Sequence, residues 1–198
     1  MSIFIDLLIV EDDGYEYIDN YCSYFNKRLK ECGFQTYCYP FSRNIECAEE
    51  LDYYQGSVRG LSFLRDASFL LYHRIGSSPI SRYTHCNLTD EQLMNCREFD
   101  AAFAISNWKF SHHNHLPIPF SAKNFPGEHF GSSFELRYSL ELVAELLKID
   151  LEKYISHDED FAHERYSQDI EHDTAILVNL YKMAVASIRY NLIIRSSE

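Results

Sequence analysis

The chain has 198 residues, and its 30 Asp and Glu exceed its 18 Lys and Arg to give a formal net charge of −12 at pH 7. Because nucleic-acid backbones and anionic membranes attract basic surfaces, this acidity argues against a chain that binds either one. The hydrophobic fraction of 46% is typical of a folded protein. No apolar run reaches the roughly 18 residues of a membrane span and no signal-peptide pattern is found, so we expect a cytoplasmic protein.

Strands and helices alternate along the first part of the chain. Residues 3–10 (IFIDLLIV) form a continuous apolar run, which predicts a buried strand. A helix over 16–32, ended by Gly33, is predicted by the helical spacing of Ile18, Cys22, Phe25 and Leu29. The same criteria predict strands over 35–41, 67–73, 101–106 and 115–120, and helices over 45–65 and 89–98.

The sequence changes character after the last predicted strand. Residues 121–133 predict a linker, and apolar stripes predict helices over 134–148 and 160–194. Because alternating strands and helices are typical of α/β proteins, we predict a mostly parallel, flavodoxin- or Rossmann-like sheet with a helical C-terminal extension. We place the α/β domain at 1–125 and the extension at 126–198.

The opening segment LLIVEDD, followed by a helix, a glycine and a second strand, resembles the start of a response-regulator receiver domain. In that family paired acids after the first strand bind Mg²⁺, and Glu11 and Asp12 occupy those positions. Ser106, at the end of AAFAIS, occupies the position of a hydroxyl residue after the fourth strand. HLPIPF (115–120) resembles the family's Lys-Pro-Phe segment. The resemblance spans about residues 3–120 and implies a flavodoxin-like fold, with a divalent metal as the candidate cofactor.

Two positions depart from the receiver pattern. His73 stands where receivers carry the phosphorylated Asp, and Ile118 replaces the phosphate-binding Lys. Receiver phosphotransfer needs the carboxylate nucleophile, the metal and the lysine together, because the charge of the acyl phosphate must be neutralised. The resemblance therefore implies a pseudo-receiver, which is a signalling or protein-interaction module without the standard phosphotransfer residues.

A second resemblance points to an enzyme. FLLYHRIGSS and FDAAFAISNW resemble segments from the N-terminal half of two-domain glycosyltransferases, whose strand ends face a nucleotide-sugar cleft. The alternative function is therefore a small α/β transferase or hydrolase that acts on a nucleotide- or phosphate-bearing ligand at the C-terminal ends of the strands. The candidate catalytic residues are Asp12, His73, Ser106 and His113, and the candidate anion-binding residues are Ser77 and Ser78.

Three histidines lie close together in SHHNH, residues 111–115. Their imidazoles could ligate a metal together with Glu11 or Asp12, or one of them could act as a general base. A solvated loop with incidental histidines is the other interpretation, and the spacing matches no established zinc pattern. The sequence leaves both interpretations open.

The last predicted helix carries an apolar stripe through Leu177, Leu180, Ala184 and Ile188. A helix of about 30 residues spans roughly 45 Å, which is longer than a compact sheet of this size needs for its own cover. One interpretation is that the helix nevertheless lies wholly across its own sheet, and the other is that it meets a partner. On the second interpretation, part of the stripe meets a second copy of the chain. We predict a protein partner and a homodimer through the C-terminal helices, with the acidic segment 157–173 kept in water.

Overall fold

The computed structural model of the protein describes residues 2–10, 14–41, 54–57, 64, 104, 113–125, 127–154 and 172–197. In chain order its elements are β1 (Ser2–Leu7), α1 (Tyr15–Glu31), β2 (Tyr54–Ser57), β3 (Asn114–Leu116), a 3₁₀ turn (Ala122–Asn124), β4 (Phe130–Ser132), α2 (Ser133–Leu147), a second 3₁₀ turn (Glu152–Tyr154), α3 (His172–Tyr190) and β5 (Ile194–Ser197). None of the helices in these ranges is both long and apolar enough to cross a membrane.

The strands form one mixed sheet in the order β2-β1-β5-β3-β4. Only β3 and β4 run parallel among the described strands, and the other three pairs are antiparallel. The predicted mostly parallel, flavodoxin- or Rossmann-like sheet is therefore wrong. β1 buries Ile5 and Leu7 but leaves Asp6 partly exposed, which is the alternation of an antiparallel sheet with one face partly open. β5 lies between β1 and β3, so strands about 190 residues apart in sequence pair directly inside the sheet.

The helix predicted over 16–32 is confirmed as α1. Its buried face consists of the four residues whose spacing predicted it, Ile18, Cys22, Phe25 and Leu29. Gly33 follows the helix with φ of +77°, a conformation that glycine adopts without strain. The N–H of Phe34 then donates to the carbonyl of Leu29 at 2.9 Å, and this bond closes the helix end.

A cluster of aromatic rings fixes α1 to the segment that carries β3 and β4. The ring centroids of Phe25 and Phe130 lie 5.3 Å apart, those of Phe125 and Phe130 4.8 Å apart, and those of Phe120 and Phe125 5.2 Å apart. Aromatic pairs in such tilted arrangements contribute about 0.5–1.5 kcal/mol each beyond the burial of their area. The position of α1 over β3 and β4 is therefore held by side-chain packing.

The helix predicted over 134–148 is confirmed as α2, whose buried residues include Leu136, Leu140, Val143 and Ala144. The hydroxyl of Ser132 caps its start by accepting a hydrogen bond from the N–H of Phe134 at 3.2 Å. α3 packs against α2, and the two helices are also joined by a 2.7 Å hydrogen bond between the hydroxyls of Ser133 and Ser187.

Three of the four residues that define the apolar stripe of α3 are buried within a single chain, and the fourth, Ile188, is partly exposed. Leu177, Leu180 and Ala184 are each at most 1% exposed, and α3 contacts α2, β1 and β5. The homodimer predicted through the C-terminal helices is therefore wrong, because the surface that it requires is already covered. α3 also ends at Tyr190 and not at 194, since Asn191 adopts φ of +59° and the chain turns back into β5.

Three other secondary-structure predictions are wrong. Residues 35–41 form no strand, and β2 lies inside the helix predicted over 45–65. Ala104 has helical backbone inside the strand predicted over 101–106. The strand predicted over 67–73 and the helix predicted over 89–98 lie outside the described residues.

The strand predicted at HLPIPF is confirmed only as a short piece. β3 covers Asn114–Leu116, and the prolines at 117 and 119 follow it. Proline has no N–H to donate to a neighbouring strand, so the hydrogen-bonded ladder stops where the prolines begin.

Candidate partner-binding surface

Most of the residues that the sequence singled out as candidate site residues lie outside the described part of the chain. These are Glu11, Asp12, His73, Ser77, Ser78 and Ser106. Their roles stay predictions. His113 is the one member of the predicted set that the structure describes, together with His115 from the same cluster.

His113 and His115 are packed inside the sheet. Their side chains are 2% and 0% exposed, and their ring centroids lie 4.8 Å apart. Burial lowers the pKa of His113 to about 3, with a smaller contribution from His129. Burial also lowers the pKa of His115 well below its usual value, and His113 adds to the shift. Both imidazoles are therefore neutral at pH 7 and shielded from solvent.

The backbone around His113 is held by β5. The N–H of His113 donates to the hydroxyl of Ser196 at 3.0 Å, and the carbonyl of His113 accepts from the N–H of Ser196 at 2.9 Å. Gly131 of β4 leaves room for the rings, since a Cβ there would lie 3.1 Å from Cδ2 of His115. Across the described residues, no group of three or more His, Cys, Asp and Glu side chains could hold a metal ion.

The acidic excess of the chain is unevenly distributed along the sequence. The side chains whose surroundings the structure describes include ten Asp and Glu and ten Lys and Arg, so the formal charge of that part is balanced. The whole excess of −12 therefore belongs to the remaining residues. Most of those acids occur in four stretches of sequence, at 11–13, 46–52, 90–100 and 158–173.

The exposed large hydrophobic side chains of the described residues lie on two helices, α2 and α1, and those of α1 are all tyrosines. Three of the tyrosines of α1 are among these side chains, with Tyr15 61%, Tyr17 51% and Tyr24 48% exposed. Glu16 and Asp19 are exposed beside them, and the first basic residue of the helix is Lys27. The N-terminal part of α1 therefore combines open aromatic rings with uncompensated negative charge.

Tyr17, Tyr21 and Tyr24 follow one another at helical positions i, i+4 and i+7, so they form one row along the helix, which we name the tyrosine row. The rings of Tyr17 and Tyr21 stack with their centroids 5.8 Å apart. Tyr24 meets Phe25 and Phe130 edge-on at 5.7 and 6.3 Å. The row is therefore held by aromatic contacts on its inner side while two of its rings stay open to solvent.

Polar side chains of the sheet lie behind the tyrosine row and contact it. The hydroxyl of Tyr21 donates to Oδ1 of Asn114 at 2.6 Å, and Asn114 is opposite Arg195 in the sheet register. Arg195 in turn binds Asp6 with both its Nε and an Nη. Burial raises the pKa of Tyr21 to about 12, so its phenol stays a hydrogen-bond donor at neutral pH. Because Asp6 neutralises Arg195, these side chains of the sheet add no net charge behind the tyrosine row.

Sequence reasoning missed this surface because α1 was interpreted through its buried stripe alone. The tyrosines at 15, 17 and 24 fall outside the stripe of Ile18, Cys22, Phe25 and Leu29. Large aromatic residues on the outer side of an amphipathic helix are a signal of an interaction surface. That signal was present in the sequence and could have been used.

Comparison with known proteins gives one informative result. No curated protein and no solved structure matches the chain. Residues 1–196 match a family described as "Putative DNA-mimic protein". This match overturns the resemblance to receiver domains and to glycosyltransferases, and with it both the signalling module and the α/β enzyme that those resemblances implied. Since the match covers nearly the whole chain, the protein belongs to this DNA-mimic family.

Proposed function

We propose that this protein is a DNA mimic, which binds the DNA-binding surface of another protein and thereby excludes DNA from it. The observation that carries the proposal is the family match over residues 1–196 in a chain with a formal net charge of −12. A protein partner was also expected from the sequence, although for a different reason.

The charge of the chain suits such a role. Proteins that bind DNA neutralise its phosphates with Lys and Arg, and this sequence-independent attraction supplies much of their affinity. Carboxylates placed on a protein surface present the same sign of charge to the same basic groups. The acidic stretches at 11–13, 46–52, 90–100 and 158–173 supply that charge in the sequence.

The test is a displacement experiment with defined DNA-binding proteins. A fluorescently labelled 30-base-pair duplex is bound separately to a histone-like DNA-bending protein, to a helix-turn-helix repressor and to a dimer of core histones. Addition of the protein should lower the fluorescence anisotropy of the duplex for at least one of the three. The displacement should weaken as NaCl is raised from 50 to 300 mM, because exposed charges are screened by salt.

Two controls separate mimicry from other effects. The protein mixed with duplex alone should leave the anisotropy unchanged, because two acidic molecules repel one another. A second acidic protein of similar charge should displace the duplex only weakly. Failure to displace the duplex from any of the three proteins at 50 mM NaCl would contradict the proposed function.

A further inference from the structure

We propose that the outer face of α1, centred on the open rings of Tyr17 and Tyr24, is a contact surface for arginine side chains on the DNA-binding surface of the partner. This inference rests on the proposed function and adds the location and the chemistry of the contact. The argument starts from the two rings, which are 51% and 48% exposed although tyrosine buries a large apolar area when it packs.

The two rings occupy fixed positions. Tyr17 stacks on Tyr21, Tyr21 is hydrogen-bonded to Asn114, and Tyr24 lies edge-on to the buried ring of Phe130. A surface that is already ordered loses little conformational entropy when a partner binds it. The tyrosine row therefore has the property of a preorganised docking surface.

Charge complementarity selects the occupant. Glu16 and Asp19 are exposed on the same two turns, and the segment from 14 to 26 contains no Lys or Arg. The helix macrodipole explains an acid in the first turn, but its effect fades beyond that turn and so does not explain Asp19. At about 100° per residue, Glu16 lies on the exposed face between Asp19 and the two open rings, and Asp19 lies on the far side of that face. Negative charge on the same exposed face as open aromatic rings favours a cation with an extended apolar surface.

Arginine fits this description better than lysine. Its planar guanidinium stacks on aromatic faces and forms paired hydrogen bonds with carboxylates, whereas the lysine ammonium is a compact and strongly hydrated charge. Arginine is also a principal contact to bases and phosphates in DNA-binding proteins. The partner surface is therefore one that presents arginines, and α1 contacts those arginines with both carboxylates and rings.

The experiment compares two labelled peptides, octa-arginine and octa-lysine, by fluorescence anisotropy at 50 mM NaCl. The wild-type protein should bind octa-arginine about fivefold more tightly than octa-lysine. Tyr17→Leu/Tyr24→Leu should remove that preference, and Tyr138→Leu, which changes a tyrosine 53% exposed on α2, should retain it. Because Tyr24 also packs on Phe130, Tyr17→Leu alone serves as the variant if the double variant does not fold.

Two double variants, which remove the same amount of charge from different places, complete the experiment. Glu16→Gln/Asp19→Asn should weaken the binding of both peptides about tenfold, whereas Glu145→Gln/Asp150→Asn removes the same charge from exposed positions elsewhere and should change binding less than twofold. Equal effects of the two pairs, or an unchanged arginine preference in the tyrosine variant, would overturn the inference.

The same variants in the duplex-displacement experiment separate this inference from the proposed function. If the wild-type protein displaces the duplex and the α1 variants do so equally well, the protein is a DNA mimic whose contact surface lies elsewhere. If the wild-type protein displaces no duplex, both proposals fail.

Discussion

The hydroxyl of Tyr21 donates a 2.6 Å hydrogen bond to Oδ1 of Asn114, which joins the first helix to the third strand across 93 residues of chain. Asn114 is buried, so the bond lies in surroundings where water competes little for either partner. Tyr21 also separates the open ring of Tyr17 from the core, so one side chain serves both the packing of α1 and the tyrosine row.

Removal of this hydroxyl should destabilise the fold by a modest amount. Tyr21→Phe retains the ring and its contacts with Tyr17 and Phe25 but loses the bond to Asn114. The free energy of unfolding should fall by about 1 kcal/mol, the usual net value of one internal hydrogen bond. Urea denaturation followed by circular dichroism measures the change. Tyr138→Phe, at an exposed position of α2, is the control, and an equal loss in both variants would contradict the prediction.

Replacement of Asn26 should lower the free energy of unfolding by more than Tyr21→Phe does. The side chain of Asn26 makes the two hydrogen bonds with the backbone of Tyr37 that a neighbouring strand would otherwise make. Its side-chain amide donates to the carbonyl of Tyr37 at 3.0 Å and accepts from the N–H of Tyr37 at 2.7 Å. Asn26→Ala removes both bonds, so we expect a loss of about 1–3 kcal/mol in the free energy of unfolding. Asn20→Ala changes an exposed asparagine of the same helix and controls for helix propensity. A stability loss no larger than that of Asn20→Ala would show that the two hydrogen bonds between Asn26 and Tyr37 contribute nothing to the stability of the fold.

The helices could be predicted because their signal is local. In α1 and α2 the apolar residues recur at helical spacing, and each helix buries that face against the rest of the same chain. The segment 35–41 was misassigned because its alternating aromatic residues resemble a strand. In the structure Tyr37 and Tyr39 are buried through contacts with α1 and the sheet, and Asn26 supplies the hydrogen bonds that a strand would have given.

The direction of the strands could not be predicted from residue patterns. The partners of β1 are β2 and β5, which lie about 50 and 190 residues away in sequence, and an apolar run carries no information about which strand it will meet. β5 itself was not predicted because residues 192–194 are apolar and continue the apolar stripe of α3, so they were assigned to the helix. The turn at Asn191, with its positive φ, separates the two elements.

The function was predicted wrongly because the net charge was used only to exclude binding to nucleic acids and to anionic membranes. A charge of −12 argues against a chain that binds nucleic acid, but it argues equally for one that resembles it. The acids after β1 were interpreted as a metal pair because the opening segment LLIVEDD resembles the start of a receiver domain. Only the family match distinguishes a metal site from a surface that resembles DNA, since an acidic stretch by itself does not reveal whether it faces a metal ion or a basic protein.

Leu180 should be essential to the stability of the single chain. It is 1% exposed and belongs to the face of α3 that packs inside the molecule. Leu180→Ala should lower the free energy of unfolding by about 2–5 kcal/mol, because it removes buried methyl groups and leaves a cavity. Leu146→Ala, at a position 38% exposed on α2, should cost less than about 1 kcal/mol. Similar losses in the two variants would contradict the burial of the α3 stripe.

The buried imidazoles should make the protein less stable in acid. The pKa of His113 is lowered to about 3 by burial, whereas the unfolded chain binds a proton at the ordinary histidine pKa of about 6.5. The unfolded state therefore binds more protons below pH 6.5, and stability falls as the pH decreases towards 3. Between pH 7 and pH 5, His113 alone should reduce the free energy of unfolding by about 2 kcal/mol.

The His113→Gln variant tests this pH dependence through its slope and not through its absolute stability. Urea denaturation at pH 7, 6 and 5 should show a smaller loss on acidification for His113→Gln than for the wild-type protein, since the variant lacks the group that titrates on unfolding. Most carboxylates stay ionised above pH 5, so this range reports mainly on histidine. Asn20→Ala, which changes an exposed residue of α1 and no titratable group, should retain the wild-type slope. Because all other histidines are common to the three proteins, a wild-type slope in His113→Gln would show that His113 is protonated equally in the folded and unfolded states.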